Sequence, residues 1–186
     1  MARNINDFIS KFDGGAKPNL FRVTIYPSGI IPVPSLTNPN LMSNDKNKGA
    51  LVFMAKGAQL PESTVGEILV PFLGRQIKVP GDRTYADWSV TIMNTEEMEL
   101  RKEFERWNQA INGHLSNIAT GNVYEWTRFS AAKIEQLKRN GRVAHTYDIY
   151  GIFPREISPI DMAFDQNDAV SEFTVTFAYT YHIPQI

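Results

Sequence analysis

The sequence predicts a mainly β protein, an antiparallel β-barrel or sandwich with one flanking α-helix and long loops. Three observations predict it. Near the C-terminus, Phe173, Val175, Phe177, Tyr179 and Tyr181 alternate with Glu172, Thr174, Thr176, Ala178 and Thr180, the period of a strand with one buried face. Asn140-Gly141 stands between two apolar runs, the strongest short signal for a β-hairpin. Helical spacing is carried by Leu100, Phe104, Trp107 and Ile111, four, three and four residues apart.

Taken in order, residues 1–19 mix polar residues with Gly14-Gly15 and Pro18, and form an arm that orders by packing on something else. From Leu20 to Tyr26, Phe21, Val23 and Ile25 alternate with Arg22 and Thr24, a half-buried strand that Pro27 ends. Residues 27–49, with four prolines and a run of Asn, Ser and Lys, form a long loop insertion. A connection of about 20 residues is long for a compact domain, and a functional loop and a tolerated surface insertion both fit it. Leu51–Leu60 is a strand with a bulge or bend at Gly57. Val65–Val70 and Gln76–Val79 are short strands around Pro71-Phe72-Leu73-Gly74-Arg75, where Gly74 suits a turn at positive φ. Gly81-Asp82-Arg83-Thr84 forms a polar turn feeding a strand over Tyr85–Met93, with Trp88, Val90 and Ile92 on one side. The helix is expected over about 95–111, capped by Asn94 or Thr95, favoured by Glu96 and Glu97 at its positive end and stopped by Gly113. Residues 112–129 show no clear period. Lys133–Arg139 and Arg142–Phe153 pair around Asn140-Gly141, Pro154 and Pro159 bracket a loop, and the last strand runs from Glu172 to Tyr181.

Composition bounds the function. A chain of 186 residues suits one domain, and folding at this size buries roughly 70% of the unfolded surface. A net charge of -1 argues against a general binder of nucleic acid or anionic membrane. There is no Cys, which excludes disulfides, thiolate metal sites and Cys nucleophiles. The N-terminus has no signal-like apolar run, and no stretch reaches the about 18 apolar residues of a membrane helix, so no membrane role is expected.

No catalytic, cofactor-binding or metal-ligating set emerges. His114, His145 and His182 are scattered, and His145 and Asp148 point to opposite faces of a strand. Asp165-Gln166-Asn167-Asp168 fails as a calcium loop, because Val170 and Thr176 stand where Gly and Glu are needed. Phosphate-cradling, dinucleotide and nucleophile-elbow motifs are missing. The chain is therefore read as no enzyme, with no cofactor. Lys133, Lys138, Arg139 and Arg142 cluster around the Asn140 hairpin, either a basic patch for an acidic neighbour or a solvated tip whose lysines block strand pairing.

Pro18-Asn19-Leu20-Phe21-Arg22-Val23, Gln59-Leu60-Pro61-Glu62-Ser63-Thr64-Val65-Gly66, Val70-Pro71-Phe72-Leu73-Gly74-Arg75, Gly81-Asp82-Arg83-Thr84 and Phe104-Glu105-Arg106-Trp107 resemble, in their order, segments of the tail-tube protein of contractile-tailed, T4-like phages. So do Gln136-Leu137-Lys138-Arg139-Asn140-Gly141, Gly151-Ile152-Phe153-Pro154 and the run Asp168–Phe177. The resemblance implies six subunits per ring, strands joined into a continuous inner barrel, and rings stacked into a tube within a sheath. DNA would pass as non-specific cargo through a neutral to acidic lumen. Implied partners are the chain itself, the sheath protein, baseplate or tube-initiator proteins and tail-terminator proteins, in the virion tail after assembly in the host cytoplasm. Candidate subunit contacts are Phe72, Leu73, Gly74 and Arg75, then Gly81, Asp82, Arg83 and Thr84, then Lys138, Arg139 and Arg142, with the 1–19 arm and the 27–49 loop beside them. Two alternatives remain: the tube of a related contractile injection system, and a monomeric β-barrel binding a small apolar ligand.

Overall fold

The alternating segments form three antiparallel sheets, two of which face each other across one core. The computed structural model describes residues 4–12, 15–26, 51–52, 55–119, 130–165 and 169–185. The predicted 27–49 loop lies outside the described residues. Helix α1 (Ile5–Phe12) precedes β1 (Phe21–Tyr26), β2 (Leu51–Val52), β3 (Ala55–Ala58), β4 (Ser63–Phe72), β5 (Arg75–Tyr85) and β6 (Trp88–Met93). Helix α2 (Glu99–Ile111) follows, then β7 (Ala131–Leu137), β8 (Val143–Tyr150), β9 (Phe153–Ile157), β10 (Glu172–Ala178) and β11 (Tyr181–Gln185). One sheet has the order β11-β8-β7-β1-β2 and the other β3-β6-β10-β9, while among the described residues β4 and β5 pair only with each other. Among the described residues neither main sheet closes on itself, so the architecture is an open sandwich with a separate hairpin.

The core follows from period and register. In β10, Phe173, Val175 and Phe177 point inward and lie opposite Ile92, Val90 and Trp88 of β6, so two alternating strands present one apolar face. Val23 and Ile25 of β1, Ala132 and Ile134 of β7 and Ile149 of β8 supply the facing sheet. Helix α2 seals the side with Leu100, Phe104 and Trp107; the Phe104 ring meets Phe173 and Phe177 edge-on at 6.2 and 5.8 Å. Trp88 satisfies its indole N–H by donating to the Gln59 carbonyl at 2.7 Å, as a buried Trp must. The outer face of β6 and β10 is polar: Thr91 and Thr174 hydroxyls meet at 3.2 Å, and Ser89 and Thr176 at 3.4 Å.

The structure corrects several expectations. The helix begins at Glu99, because Met98 takes the N-cap position in a left-handed conformation with no side-chain cap. Asn94 and Thr95 do not cap it; Asn94 Oδ1 and Thr95 Oγ1 are buried with no hydrogen-bond partner among the described residues. Gly81–Thr84 is no turn but part of β5. Val65 pairs Arg83 and Glu67 pairs Pro80, which sets Gly66 alone against Gly81 and Asp82: a β-bulge. A Cβ on Gly81 would stand 3.3 Å from the Gly66 carbonyl oxygen, so glycine permits the close approach. The expected loop after Pro154 starts as strand β9, a sheet edge where a missing N–H costs no ladder bond. The last predicted strand is two, broken at Tyr179-Thr180, with β11 joining the opposite sheet beside β8. The bulge expected at Gly57 is present as a register shift between Ala55 and Gly57.

Candidate functional site

Among the described residues the β4–β5 hairpin carries the most conspicuous exposed apolar surface. Its tip is a two-residue turn, Leu73-Gly74, with φ of 45° and 77°. Positive φ at both positions twists the turn to suit the strands, at a strain Gly74 avoids and Leu73 does not. Register fixes the faces. Ile68 pairs Val79, Val70 pairs Ile77 and Phe72 pairs Arg75, all on one side. The other side carries Glu67, Leu69, Pro71, Gln76 and Lys78, with Lys78 Nζ 2.9 Å from Glu67 Oε2. On the first side Ile68, Val70, Phe72, Ile77 and Val79 are 55%, 43%, 60%, 51% and 41% exposed. A two-stranded hairpin alone is marginal in water, and monomers seldom display a contiguous apolar patch of several hundred Å². This face is built to be covered.

Aromatic packing holds the hairpin's root. The His182 ring of β11 lies edge-on to Tyr85 at 5.3 Å and 6.0 Å from both Tyr147 and Tyr179. Tyr179 donates its hydroxyl to the Glu62 carbonyl at 3.0 Å, tying the strand entering the hairpin to the end of β10. Burial pushes the Tyr179 phenol above its usual range, and Tyr85, Glu62 and Asp87 push the same way. Burial first, and then the Arg83 guanidinium, push the His182 imidazole below the histidine range. The folded subunit thus holds a proton on His182 less readily than the unfolded chain does. Stability from the neutral ring is complete above the unfolded value of about 6.5 and is lost as pH falls through that value toward the lower folded one. Urea unfolding of the unassembled subunit between pH 7.5 and 5 is expected to lose more stability in the wild-type chain than in His182→Gln. Parallel pH profiles for the two would contradict the assignment.

A second apolar surface lies in the N-terminal arm, which contains α1. Ile5, Phe8, Ile9 and Phe12, spaced as one helical stripe, are 56–70% exposed. The Phe8 and Phe12 rings stack at 5.4 Å. Phe12 lines a cavity of about 480 Å³ with Lys17, Leu20, Leu137, Lys138 and Ala144, so the arm sits against the β7–β8 tip.

That tip holds the predicted basic residues. Lys138 N–H donates to the Arg142 carbonyl at 2.8 Å and Gly141 N–H to the Lys138 carbonyl at 2.9 Å; Gly141 has φ 77°. Lys138, Arg139 and Arg142 are exposed there, whereas Lys133 lies within β7, 3.8 Å from Asp148. The predicted contact residues therefore fall into three places: Phe72–Arg75 at the hairpin tip, Gly81–Thr84 near its root, and Lys138, Arg139 and Arg142 at the β7–β8 tip. Sequence reasoning missed the two apolar stripes, although the spacing of Ile5, Phe8, Ile9 and Phe12 and the alternation of Ile68, Val70 and Phe72 were both present. Among the described residues no group of three His, Asp or Glu converges as metal ligands, and no helix is long and apolar enough to cross a membrane.

Comparison with known proteins bears on this surface. Residues 16–185 match a family model described as phage tail tube protein. The chain is 31% identical over 180 residues to the tail tube protein gp19 of Enterobacteria phage T4, covering 95% of this chain and 98% of that one. It is 27% identical to the tail tube protein of Serratia phage KSP90 over 94% of this chain and 93% of the other. In fold it is similar to a chain of the anti-feeding prophage baseplate, with TM-score 0.62, 11% identity, and 91% and 95% of the two chains covered. It is also similar to a chain of the PVC sheath-tube complex of an extracellular contractile injection system, with TM-score 0.61, 12% identity and 99% of each chain covered.

Proposed function

Because this chain belongs to the phage tail tube protein family, we propose that its copies form hexameric rings that stack into the inner tube of a contractile tail, with DNA passing through the bore during ejection. The observation that carries this reading is the β4–β5 hairpin, whose apolar face no other described part of the chain covers. Open sheet edges support it, since among the described residues β3 and β11 each leave one ladder side unpaired. A neighbouring copy completing an edge would join the strands into a continuous inner wall. The Phe72–Arg75 tip, the Gly81–Thr84 bulge region and the Lys138, Arg139 and Arg142 tip are the contact regions in this reading. The role is structural rather than enzymatic, in the virion tail, after assembly in the host cytoplasm. Sheath, baseplate or initiator and terminator proteins are the further partners, in keeping with the sheath-tube, baseplate and terminating-cap assemblies whose chains share this fold. DNA is cargo without sequence recognition, in keeping with a net charge of -1, since a strongly basic bore would retain phosphates. The tube of an injection system is a second reading with the same assembly and different cargo; identity of about 30% to phage tube proteins favours the first.

Negative-stain microscopy of the purified protein is expected to show six-fold rings or tubes. A monodisperse 21.1 kDa monomer at high concentration would overturn the proposal.

A further inference from the structure

We infer that the apolar stripe of α1 in one copy packs across the apolar face of the β4–β5 hairpin in a neighbouring copy. The inference rests on the self-assembly reading and names which two surfaces of the chain meet. Both are largely exposed among the described residues and both are built from Ile and Phe with Val on the hairpin, while Phe12, at the end of the helix stripe, also lines the cavity beside Leu20 and Leu137. Their shapes are complementary in kind, because a helix ridge of four side chains lies across a twisted two-stranded ribbon whose pairs Ile68–Val79 and Val70–Ile77 form a shallow apolar floor.

Their sizes match as well. With a whole side chain counted as roughly 150–200 Å², the exposed fractions leave on the order of 450 Å² on each surface. One helix–hairpin contact would then remove about 900 Å² in total, short of the roughly 1,200 Å² of a stable independent interface. An isolated pair is too weak, but every copy has one helix to give and one hairpin to receive. Two different surfaces meeting make a heterologous contact, which propagates from copy to copy instead of closing at a dimer. The occupant is thus a second copy of this chain, whose own unpaired helix has the required chemistry and extent.

The chain has no native cysteine, so disulfide trapping is unambiguous. Full-length protein carrying Phe8→Cys and Val70→Cys together, oxidised at assembling concentration, is expected to run as a ladder of dimers, trimers and larger species that reductant collapses. Each single variant should stop at dimer. Phe8→Cys with Leu69→Cys, on the opposite face of the same strand, should give at most a few percent of that ladder. Ordered tubes in the microscope with no ladder, or an equal ladder from Leu69→Cys, would overturn the pairing and leave ring assembly standing. A ladder without rings or tubes would keep the pairing and sink ring assembly. All three sites are exposed, so circular dichroism matching wild type is expected for every variant.

Discussion

Phe177→Ala is expected to destabilise the subunit by about 3–5 kcal/mol. Phe177 is fully buried and stands where three elements meet: its ring centroid lies 5.6 Å from Trp88 of β6, 5.8 Å from Phe104 and 6.4 Å from Trp107 of α2. Removing it deletes apolar surface and leaves a cavity walled by rigid rings that cannot collapse into it, so the upper part of the range applies. Set against a total stability of about 5–15 kcal/mol for a single domain, this is about a fifth or more of what holds the fold. The melting temperature should fall by roughly 10 °C or more, since each kcal/mol moves it about 2–4 °C at this size. Thermal unfolding followed by circular dichroism measures it. Phe164→Ala, at a fully exposed position in the loop before β10, should stay within about 0.5 kcal/mol of wild type. A melting temperature for Phe177→Ala within two or three degrees of wild type would show that the three elements do not share one core.

The same residues explain what the sequence made legible. Strand β10 was plain because Phe173, Val175 and Phe177 enter the core while Thr174 and Thr176 stay outside, and period two has no other explanation. The α2 seam and the Asn140-Gly141 hairpin were plain for the same local reason. What failed depended on partners distant in sequence. Gly81–Thr84 has the composition of a turn, and only Gly66 across the ladder makes it a bulge in a continuous strand. Pro154 marks a break in a central strand and is harmless in β9 because that strand is an edge. Asn94 and Thr95 look like helix caps, but the chain turns once more through the Met98 N–H to Thr95 carbonyl bond before α2 starts. The proposed contact surface was half marked in the sequence. The tip residues Phe72–Arg75 were marked by Pro71 and Gly74, whereas the alternation of Ile68 and Val70 is that of any half-buried strand. Alternation says that a face wants covering; it does not say whether the cover belongs to the same chain.

Val70→Asp is expected to leave the subunit folded and abolish assembly under conditions where the wild-type chain polymerises. Val70 lies mid-hairpin on the apolar face, directly opposite Ile77, and is solvent-accessible in the single chain. A carboxylate there costs the isolated subunit little, because water still reaches it. In the assembly the same group would enter a contact lined by Ile68, Phe72, Ile77 and Val79, where the cation of this face, Arg75, stands apart at the hairpin tip opposite Phe72. Leaving a polar or charged group so buried costs about 3 kcal/mol or more, which raises the concentration needed for each contact about 100-fold. The cost recurs at every subunit added, so the tube population should collapse instead of shortening gradually. Leu69→Asp tests the face, since Leu69 shares the strand but points to the side that already carries the Lys78–Glu67 ion pair. Its effect should be at least tenfold smaller. Sedimentation across a concentration series, with circular dichroism on the supernatant, separates folding from assembly. Val70→Asp pelleting like wild type would remove the hairpin's apolar face from the contact and leave the sheet edges to carry it.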